Sequence, residues 1–176
     1  MVHREVLRTR RLRLRWFEPT LEADQRFVIE LLNDPDWIAH IGKRDVGTRQ
    51  QAEAYLREGP RAMCERLGFG LYLVERLADG EPIGMCGLIK RDHLVDVDLG
   101  YAFVPAGRGQ GYAREAAGAV MDWARERLAL QRIVAIVTPA NRRSITLLQE
   151  LGFADEGEIR LPPGDEALRL LGWSAA

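Results

Sequence analysis

The chain has 176 residues, 47% of them hydrophobic and 29% charged, with a formal net charge of −1 at pH 7. This size suits one domain with a substantial apolar core, so we expect a single domain over residues 1–176. A nearly neutral chain has no overall field to attract nucleic acid or an anionic membrane, and no apolar run approaches the ~20 residues of a membrane helix. These features predict a cytoplasmic protein without nucleic-acid or membrane partners.

The two cysteines, Cys64 and Cys86, lie in unrelated sequence contexts. Neither belongs to a CxxC pair or to a Cys/His cluster, so the sequence predicts neither a disulfide framework nor a metal site. Reduced thiols of a cytoplasmic protein are the expected state.

The N-terminal third is predicted to form one strand and two helices. Residues 11–16 alternate apolar and arginine side chains, which indicates a strand with one buried face and one solvated arginine face. A helix opened by Thr20 follows and ends near residues 33–34, and a second helical region opens at Thr48. The intervening segment 37–46 is expected to be irregular.

The middle of the chain has the pattern of an antiparallel meander. Residues 69–75 and 82–90 flank a turn at 78–80 that contains Asp and Gly, which is typical of a hairpin. Residues 94–104 alternate polar and apolar side chains and are predicted to be the next strand.

The C-terminal part is predicted to alternate helices and strands: a helix over 113–128, a buried strand over 132–138, a helix over 142–151 ended by Gly152, and a strand over 153–159. The pattern of residues 167–173 fits a strand and a helix equally well. An antiparallel meander followed by a parallel strand–helix–strand unit predicts an α/β (α+β) fold. Its sheet is mixed and has helices on both faces.

The segment Arg108-Gly109-Gln110-Gly111-Tyr112-Ala113 lies between a predicted strand and a predicted helix. Glycine allows positive φ and leaves the backbone open to a ligand, and the first amides of a helix have no partners within it. Such a segment favours an anion-binding site, although a tight strand–helix turn is the alternative.

Two other phosphate motifs are excluded by spacing, because G-x-G-x-x-G would need a glycine at Tyr112 and a P-loop would need a lysine. Several amide hydrogen bonds to a charged acceptor, each worth roughly 1.5–3 kcal/mol, should outweigh one guanidinium. We therefore expect the backbones of Gly109, Gly111 and Ala113 to matter more than the side chain of Arg108.

This segment resembles the R/Q-x-x-G-x-G/A signature of the GNAT superfamily of N-acetyltransferases. The sequences TRRLRLR, DVDLGYAFVP and ANRRSITLLQELGF are similar to the ribosomal-protein N-acetyltransferase (RimJ/RimL-like) branch, and the resemblance covers nearly the whole chain. It implies a mostly antiparallel sheet of six to seven strands, splayed between strands 4 and 5, with about four helices on both faces. It also implies that acetyl-CoA is the cosubstrate.

The resemblance implies a cofactor site on the splayed strand, the glycine-rich loop and the following helix: Phe103, Val104, Arg108, Gly109, Gln110, Gly111, Tyr112, Ala113, Asn141 and Ser144. The backbone near Phe103 and Val104 would pair with the pantetheine arm. The side chain of Asn141 would bond the same arm, or would instead cap the helix that it precedes.

Acetyl transfer to an amine needs a group that removes a proton from the ammonium form. Asp98 and Asp96 are two residues apart, so we expect them on one face of a strand, where a carboxylate pair could raise one pKa. Asp98 aligns with a catalytic Glu of some relatives, and Asp96 is predicted to face the substrate. The alternative is that both aspartates face solvent or pair with arginine.

A proton donor for the departing thiolate is less obvious in this sequence. Leu148 stands where many relatives carry a tyrosine, and Ser144 stands where the RimJ/RimL-like branch can use a serine. Ser144 is therefore predicted to be catalytic. The alternatives are that Ser144 caps the helix backbone and that the thiolate leaves without a general acid.

The substrate site is predicted to include Trp37, His40 and Tyr72 besides Asp96, although aromatic side chains at such positions often belong to the core. The predicted function is transfer of an acetyl group to a primary amine, a protein N-terminus or a small molecule, by direct attack in a ternary complex. A non-catalytic acyl-CoA-binding regulatory module is the alternative. A homodimer is a possible assembly.

Overall fold

A mixed sheet of eight strands runs through the centre of the computed structural model, which describes residues 4–176 and thus all but the first three residues of the predicted domain. The strands are β1 (Glu5–Arg8), β2 (Leu12–Arg15), β3 (Leu71–Arg76), β4 (Pro82–Ile89), β5 (Asp98–Phe103), β6 (Arg132–Val137), β7 (Ala154–Ile159) and β8 (Leu168–Ser174). Their order across the sheet is β1-β2-β3-β4-β5-β6-β8-β7.

The helices are α1 (Glu22–Leu32), α2 (Pro35–His40), α3 (Arg49–Leu56), α4 (Ala62–Leu67), α5 (Tyr112–Leu128) and α6 (Arg142–Glu150). A π-helical turn (Arg57–Arg61) joins α3 to α4, and a 3-10 turn (Pro105–Gly107) follows β5. In the described residues 4–176, no helix is long and apolar enough to cross a bilayer.

All neighbouring strands pair antiparallel except β5 and β6, which are parallel and register only at Asp98 and Val134. Beyond this pair the two strands separate, and we call the opening between them the split. The predicted count did not include the edge strand β1, so its fourth and fifth strands are β5 and β6, and the predicted splay lies at the split. The sheet has eight strands because Glu5–Arg8 adds an edge strand that the sequence did not reveal, and because 168–174 is a strand.

Helices cover both faces of the sheet, as predicted. One apolar cluster joins α5 to alternate residues of β3 and β4 such as Tyr72 and Cys86, and the other joins α1 and α3 to their neighbours Leu73 and Met85. Side chains alternate between the two faces of a strand, so adjacent residues serve opposite cores.

Two N-terminal predictions were wrong. Thr20 does not cap α1, because Leu21 holds that position without a side-chain bond. Asp24 instead accepts from both terminal nitrogens of Arg15, at 2.9 and 2.7 Å, and Glu75 accepts from its Nε. Arg15 is consequently 2% exposed and does not belong to a solvated face.

The segment 37–46 is not wholly irregular, because α2 occupies its first four residues. Asp34 caps this helix by accepting from the N–H of Asp36, and Pro35 takes a first-turn position where its missing N–H costs nothing. The predicted opening of the next helix is confirmed, since Thr48 and Gln51 form a reciprocal capping box.

Candidate active site

The glycine-rich loop, residues 107–113, contains three glycines, and they are needed for two different reasons. Gly109 and Gly111 have φ of +73° and +79°, in the left-handed region that glycine adopts without steric cost. Gly107 is needed for packing, because a Cβ there would lie 2.7 Å from the carbonyl oxygen of Ile83. The loop is therefore a specific backbone shape at the start of α5.

This shape leaves a run of backbone donors free. In the part of the chain that the structure describes, the N–H groups of residues 109–114 make no hydrogen bond with the protein, and Glu115 is the first to bond back, to the carbonyl of Gly111. The positive end of the 17-residue helix α5 lies at the same place. These donors and this dipole suit a phosphate or diphosphate group.

Arg108 holds the loop in position. Its Nη2 lies 2.6 Å from Asp34, its Nη1 lies 3.1 Å from Asp36, and its Nε donates to the carbonyl of Phe103 at 2.9 Å. The guanidinium is thus neutralised by two carboxylates at the start of α2. Arg108 ties the loop to α2 through these contacts.

Arg11 holds the other side of the loop. It donates to the carbonyl of Gln110 at 2.9 Å, pairs with Glu115 at 2.7 Å, and lies 4.4 Å from the ring centroid of Tyr112. The Gln110 amide turns back to the carbonyl of Ala106. The side chain of Gln110 therefore stabilises the loop, and that of Tyr112 packs in the core.

The strand edge that faces the split differs from the predicted one. Val104 donates to the carbonyl of Ile83 and accepts from the N–H of Gly107, so both of its backbone groups are engaged and our placement of Val104 at the free edge was wrong. Backbone groups alternate sides along a strand, which turns those of Tyr101 and Phe103 toward the split. The Phe103 carbonyl already accepts from Arg108.

Two cavities open on this edge. The first, of about 470 Å³, is bounded by the glycine-rich loop and α6, and we call it the loop cavity. The second, of about 460 Å³, is bounded by β5, β6 and the segment after α2, and we call it the strand cavity. All predicted cofactor residues except Val104 and Gln110 line the loop cavity. Residues common to both cavities mark their junction: Trp37, His40, Ile41, Tyr101, Ala102, Asn141 and Ser144.

Asp98 lines the strand cavity with 1% of its surface exposed. Burial raises its pKa to about 6, against the opposing effect of Arg91, whose Nε donates to the carboxylate at 2.6 Å. Arg91 comes from the loop after β4, and nothing in the sequence pattern linked it to Asp98. A carboxylate with this pKa accepts protons near neutral pH.

Asp96 does not share the face of Asp98, contrary to our prediction. The strand begins only at Asp98, and Val95, the residue before Asp96, is 93% exposed. Asp96 pairs with Arg132 at 2.9 Å and lines neither cavity. The carboxylate pair inferred from the spacing is absent, so the raised pKa of Asp98 comes from burial.

At the junction, Ser144 lies in the first turn of α6 and its Oγ is 2.7 Å from the phenol oxygen of Tyr101. Asn141 caps the same helix by accepting from the N–H of Ser144 at 3.2 Å. The capping alternative for Asn141 is therefore confirmed, while its contact with a cofactor stays a prediction. Sequence reasoning missed Tyr101, although a hydroxyl among the apolar positions of that strand was a usable signal.

The predicted substrate residues divide into two groups. Trp37 and His40 lie at the junction, and His40 Nδ1 is 3.2 Å from the hydroxyl of Thr138, which follows β6. Tyr72 lies in neither cavity, because its ring is fully buried and packs edge-on against Trp123. The core alternative holds for Tyr72, and we remove it from the site.

Helix α2 spans the split. Asp34 and Asp36 at its start pair with Arg108 beside the loop cavity, and His40 at its end bonds Thr138 beyond β6. Sequence reasoning did not find this link, because all three contacts join residues far apart in the chain.

Comparison with known proteins agrees with this geometry. The model of the acetyltransferase (GNAT) domain matches residues 11–154. The uncharacterised protein YkkB of Bacillus subtilis is 30% identical over 86% of this chain and 87% of its own length, and the uncharacterised N-acetyltransferase p20 of Bacillus licheniformis is 31% identical over 89% and 86%. Spermidine N(1)-acetyltransferase of Escherichia coli is 32% identical over 46% of this chain and 44% of its own.

Solved structures share the fold over almost the full length. A GNAT-family acetyltransferase from Bordetella pertussis superposes with a TM-score of 0.77 at 28% identity, covering 97% of this chain and 100% of its own. The ribosomal-protein-S5-alanine acetyltransferase from Vibrio fischeri gives 0.77 at 20% identity, covering 96% and 95%. A spermidine N-acetyltransferase from Vibrio cholerae, solved with CoA and spermine, gives 0.74 at 20%, covering 93% and 95%.

The family model covers most of the chain, and the free amides of the glycine-rich loop beside the split suit a phosphate group. The chain is an acetyltransferase that uses acetyl-CoA, and it belongs to the GNAT family.

Proposed function

We propose that this enzyme transfers an acetyl group from acetyl-CoA to a primary amine by direct attack in a ternary complex. The observation that carries the proposal is the meeting of two cavities at one strand edge, one for each reactant. Holding the two reactants side by side supplies much of the rate enhancement expected for such a transfer.

The loop cavity would hold acetyl-CoA, which supplies an acetyl group activated as a thioester. The free N–H groups of residues 109–114 would bind its diphosphate, and the backbone edge at Tyr101 and Phe103 would pair with the pantetheine arm. Asn141 keeps its Nδ2 group for a ligand, since its Oδ1 is the atom that caps α6.

Asp98 would take the proton from the ammonium form of the acceptor, directly or through a water molecule. Its place in the strand cavity and its pKa of about 6 support this role. Aspartate is shorter than the glutamate of some relatives, and a bridging water would make up the missing length.

Ser144 would give a proton to the departing sulfur. This role is supported by the position of Ser144, which lines both cavities, and by Leu148, one helical turn further on, which has no phenol. The N-terminal dipole of α6 favours negative charge near the same point.

The acceptor we favour is a monoamine, in particular a peptide α-amine, as expected for the RimJ/RimL-like branch. Arg44 and Arg91 border the strand cavity together with Asp98 and Glu166. Arg91 already pairs with Asp98, so the cavity has no excess of carboxylates to hold a polycation. A polyamine would need such an excess.

The proposal extends to organisation. We propose that residues 1–176 act as one domain, and the homodimer and the cytoplasmic location stay predictions. Size-exclusion chromatography with light scattering tests the assembly.

Thiol release from acetyl-CoA with a panel of amines tests the function. Peptides with free N-termini, the same peptides blocked at the N-terminus, and spermidine form a matched set. Release with free peptides alone supports the proposal. Stabilisation of the protein by both acetyl-CoA and CoA, without thiol release for any amine, would leave only a binding module.

A further inference from the structure

Two hydroxyl groups are joined where the loop cavity meets the strand cavity. The phenol oxygen of Tyr101, on β5, lies 2.7 Å from Ser144 Oγ, on α6. Both residues line both cavities. The pair therefore connects the compartment of the amine with the compartment of the thioester.

Each hydroxyl can donate one hydrogen bond while it accepts others. When the Tyr101 phenol donates to Ser144 Oγ, the hydrogen of Ser144 is left free to point into a cavity. The carbonyl oxygen of Ser144 lies 3.3 Å from the phenol and offers a weaker alternative acceptor. Burial raises the pKa of Tyr101 to about 12, so the phenol keeps its proton at neutral pH.

The proposed reaction moves one proton across the same boundary. The carbon–nitrogen bond forms on the amine side and the carbon–sulfur bond breaks on the thioester side, so the nitrogen has a proton to lose and the sulfur one to gain. A chain of hydroxyls passes a proton without holding a net charge, because each oxygen receives one hydrogen as it gives up another.

We propose that Tyr101 and Ser144 form a two-hydroxyl proton relay from the acceptor nitrogen to the departing sulfur. The inference rests on the proposed transferase function. Tyr101 accepts the nitrogen proton and gives its own to Ser144, and Ser144 gives its own to sulfur. Both residues end the step neutral, and the products are the amide and the thiol of CoA.

Other groups at the junction do not make this connection. Asp98 lines the strand cavity but not the loop cavity, and Arg91 holds its carboxylate. This position suits Asp98 to the earlier deprotonation of the ammonium. His40 bonds Thr138 and makes no hydrogen bond with Ser144 within the described part of the chain. The phenol missing at Leu148 is thus supplied from a neighbouring strand.

Tyr101→Phe and Ser144→Ala, singly and together, test the relay. We expect each single change to lower kcat about 10- to 100-fold with little change in KM for acetyl-CoA. The double change should lower kcat no further than either single change, because either one alone already interrupts the relay. Ser144→Thr keeps a hydroxyl and should recover most of the rate. Tyr72→Phe, which removes a phenol from the core, is the matched control and should turn over at the parent rate.

A second measurement does not depend on turnover. In chemical unfolding of the ligand-free variants, the Tyr101 and Ser144 changes should be non-additive, as for groups that share a hydrogen bond. For the reaction itself, kcat of the parent should depend non-linearly on the fraction of D₂O in the solvent, since three protons move together along the relay. The Tyr101→Phe variant should lose that curvature.

Tyr101→Phe at the parent rate, or additive losses of rate in the double variant, would overturn the relay and leave the transferase function standing. A parent protein that binds acetyl-CoA and releases no thiol with any amine would overturn the function itself. The two failures are therefore distinguishable.

Discussion

The two sides of the split offer different kinds of groups to a ligand. The loop cavity offers backbone groups of one continuous segment, residues 109–114, shaped by glycines and placed at a helix start. The strand cavity offers side chains from separate elements, among them Asp98 of β5 and Arg91 of the loop before it, with Tyr101 and Ser144 at the junction.

This difference explains what each side tolerates. Backbone recognition depends on a local conformation, so a change that distorts the conformation removes several hydrogen bonds together. Side-chain recognition depends on single groups that can be replaced one at a time. Substitutions should therefore separate binding from chemistry, and the following predictions test that separation from the largest expected effect to the smallest.

Gly111→Val should abolish the stabilisation of the protein by acetyl-CoA, with at least a 100-fold loss of affinity. A β-branched residue is strained at a φ of +79°, and its Cβ would lie 3.4 Å from Arg11 Nη2, so the loop backbone must change shape. Thermal shift and titration calorimetry measure this effect. Gly118→Ala, inside α5 and near only the Leu151 side chain at 3.8 Å, is the control and should bind normally. Normal binding by Gly111→Val would remove the basis of the loop site.

Asp98→Asn should slow acetyl transfer about 100-fold and leave acetyl-CoA binding unchanged, since general bases contribute roughly 10²–10⁴ in rate. Folding should not suffer, because a buried carboxylate whose pKa is raised from 3.8 to about 6 disfavours the folded state when it ionises. Steady-state kinetics and a thermal melt at pH 7 check both statements. Turnover at the parent rate would exclude Asp98 as the base.

The pH dependence sharpens the same assignment. Asp98 must be ionised to accept a proton, so kcat/KM of the parent should fall as the pH is lowered through about 6. The Asp98→Asn variant should lack this limb and show only the titration of the amine. A limb near pH 6 that persists in the variant would point to another group.

Arg108→Gln should lower acetyl-CoA affinity about tenfold, much less than the change at Gly111. Its guanidinium orients the loop through Asp34, which is 8% exposed, so the larger cost is to folding, about 1–3 kcal/mol from the partner left unpaired. Calorimetry and urea unfolding measure the two effects. The exposed pair of Arg8 with Glu5 provides the control, since Arg8→Gln should change neither. A loss of affinity greater than that of Gly111→Val would reverse the ranking.

Tyr72→Phe should leave kcat and KM unchanged and should keep or slightly raise the melting temperature. Its hydroxyl is buried without a hydrogen-bond partner among residues 4–176, so removing the oxygen removes an unsatisfied group. A change in KM for the amine would restore Tyr72 to the substrate site.

The sequence predicted local structure well and long-range side-chain contacts poorly. The loop, the capping box at Thr48 and the buried strand near 132–138 are local patterns, and local patterns can be read from adjacent residues. The pairs Asp98–Arg91 and Tyr101–Ser144 arise from tertiary packing, which no spacing records.

The errors have the same origin. The predicted strand began at residue 94, four residues before the true start at Asp98, and this put Asp96 on the strand. Arg132 pairs with Asp96 instead. Val104 was placed at a free edge although the turn that follows takes up its carbonyl. Arg15 was assigned to solvent because its partners Asp24 and Glu75 are distant in sequence.

Helix α2 connects the two sides of the split. Its start pairs with Arg108 and its end bonds Thr138, and its six residues extend over about 9 Å at the usual rise per residue. A movement of β5 or β6 therefore strains the contact of α2 with the other strand. Binding of a ligand in one cavity should change the affinity of the other cavity for its ligand, and reciprocity requires that both affinities change by the same factor.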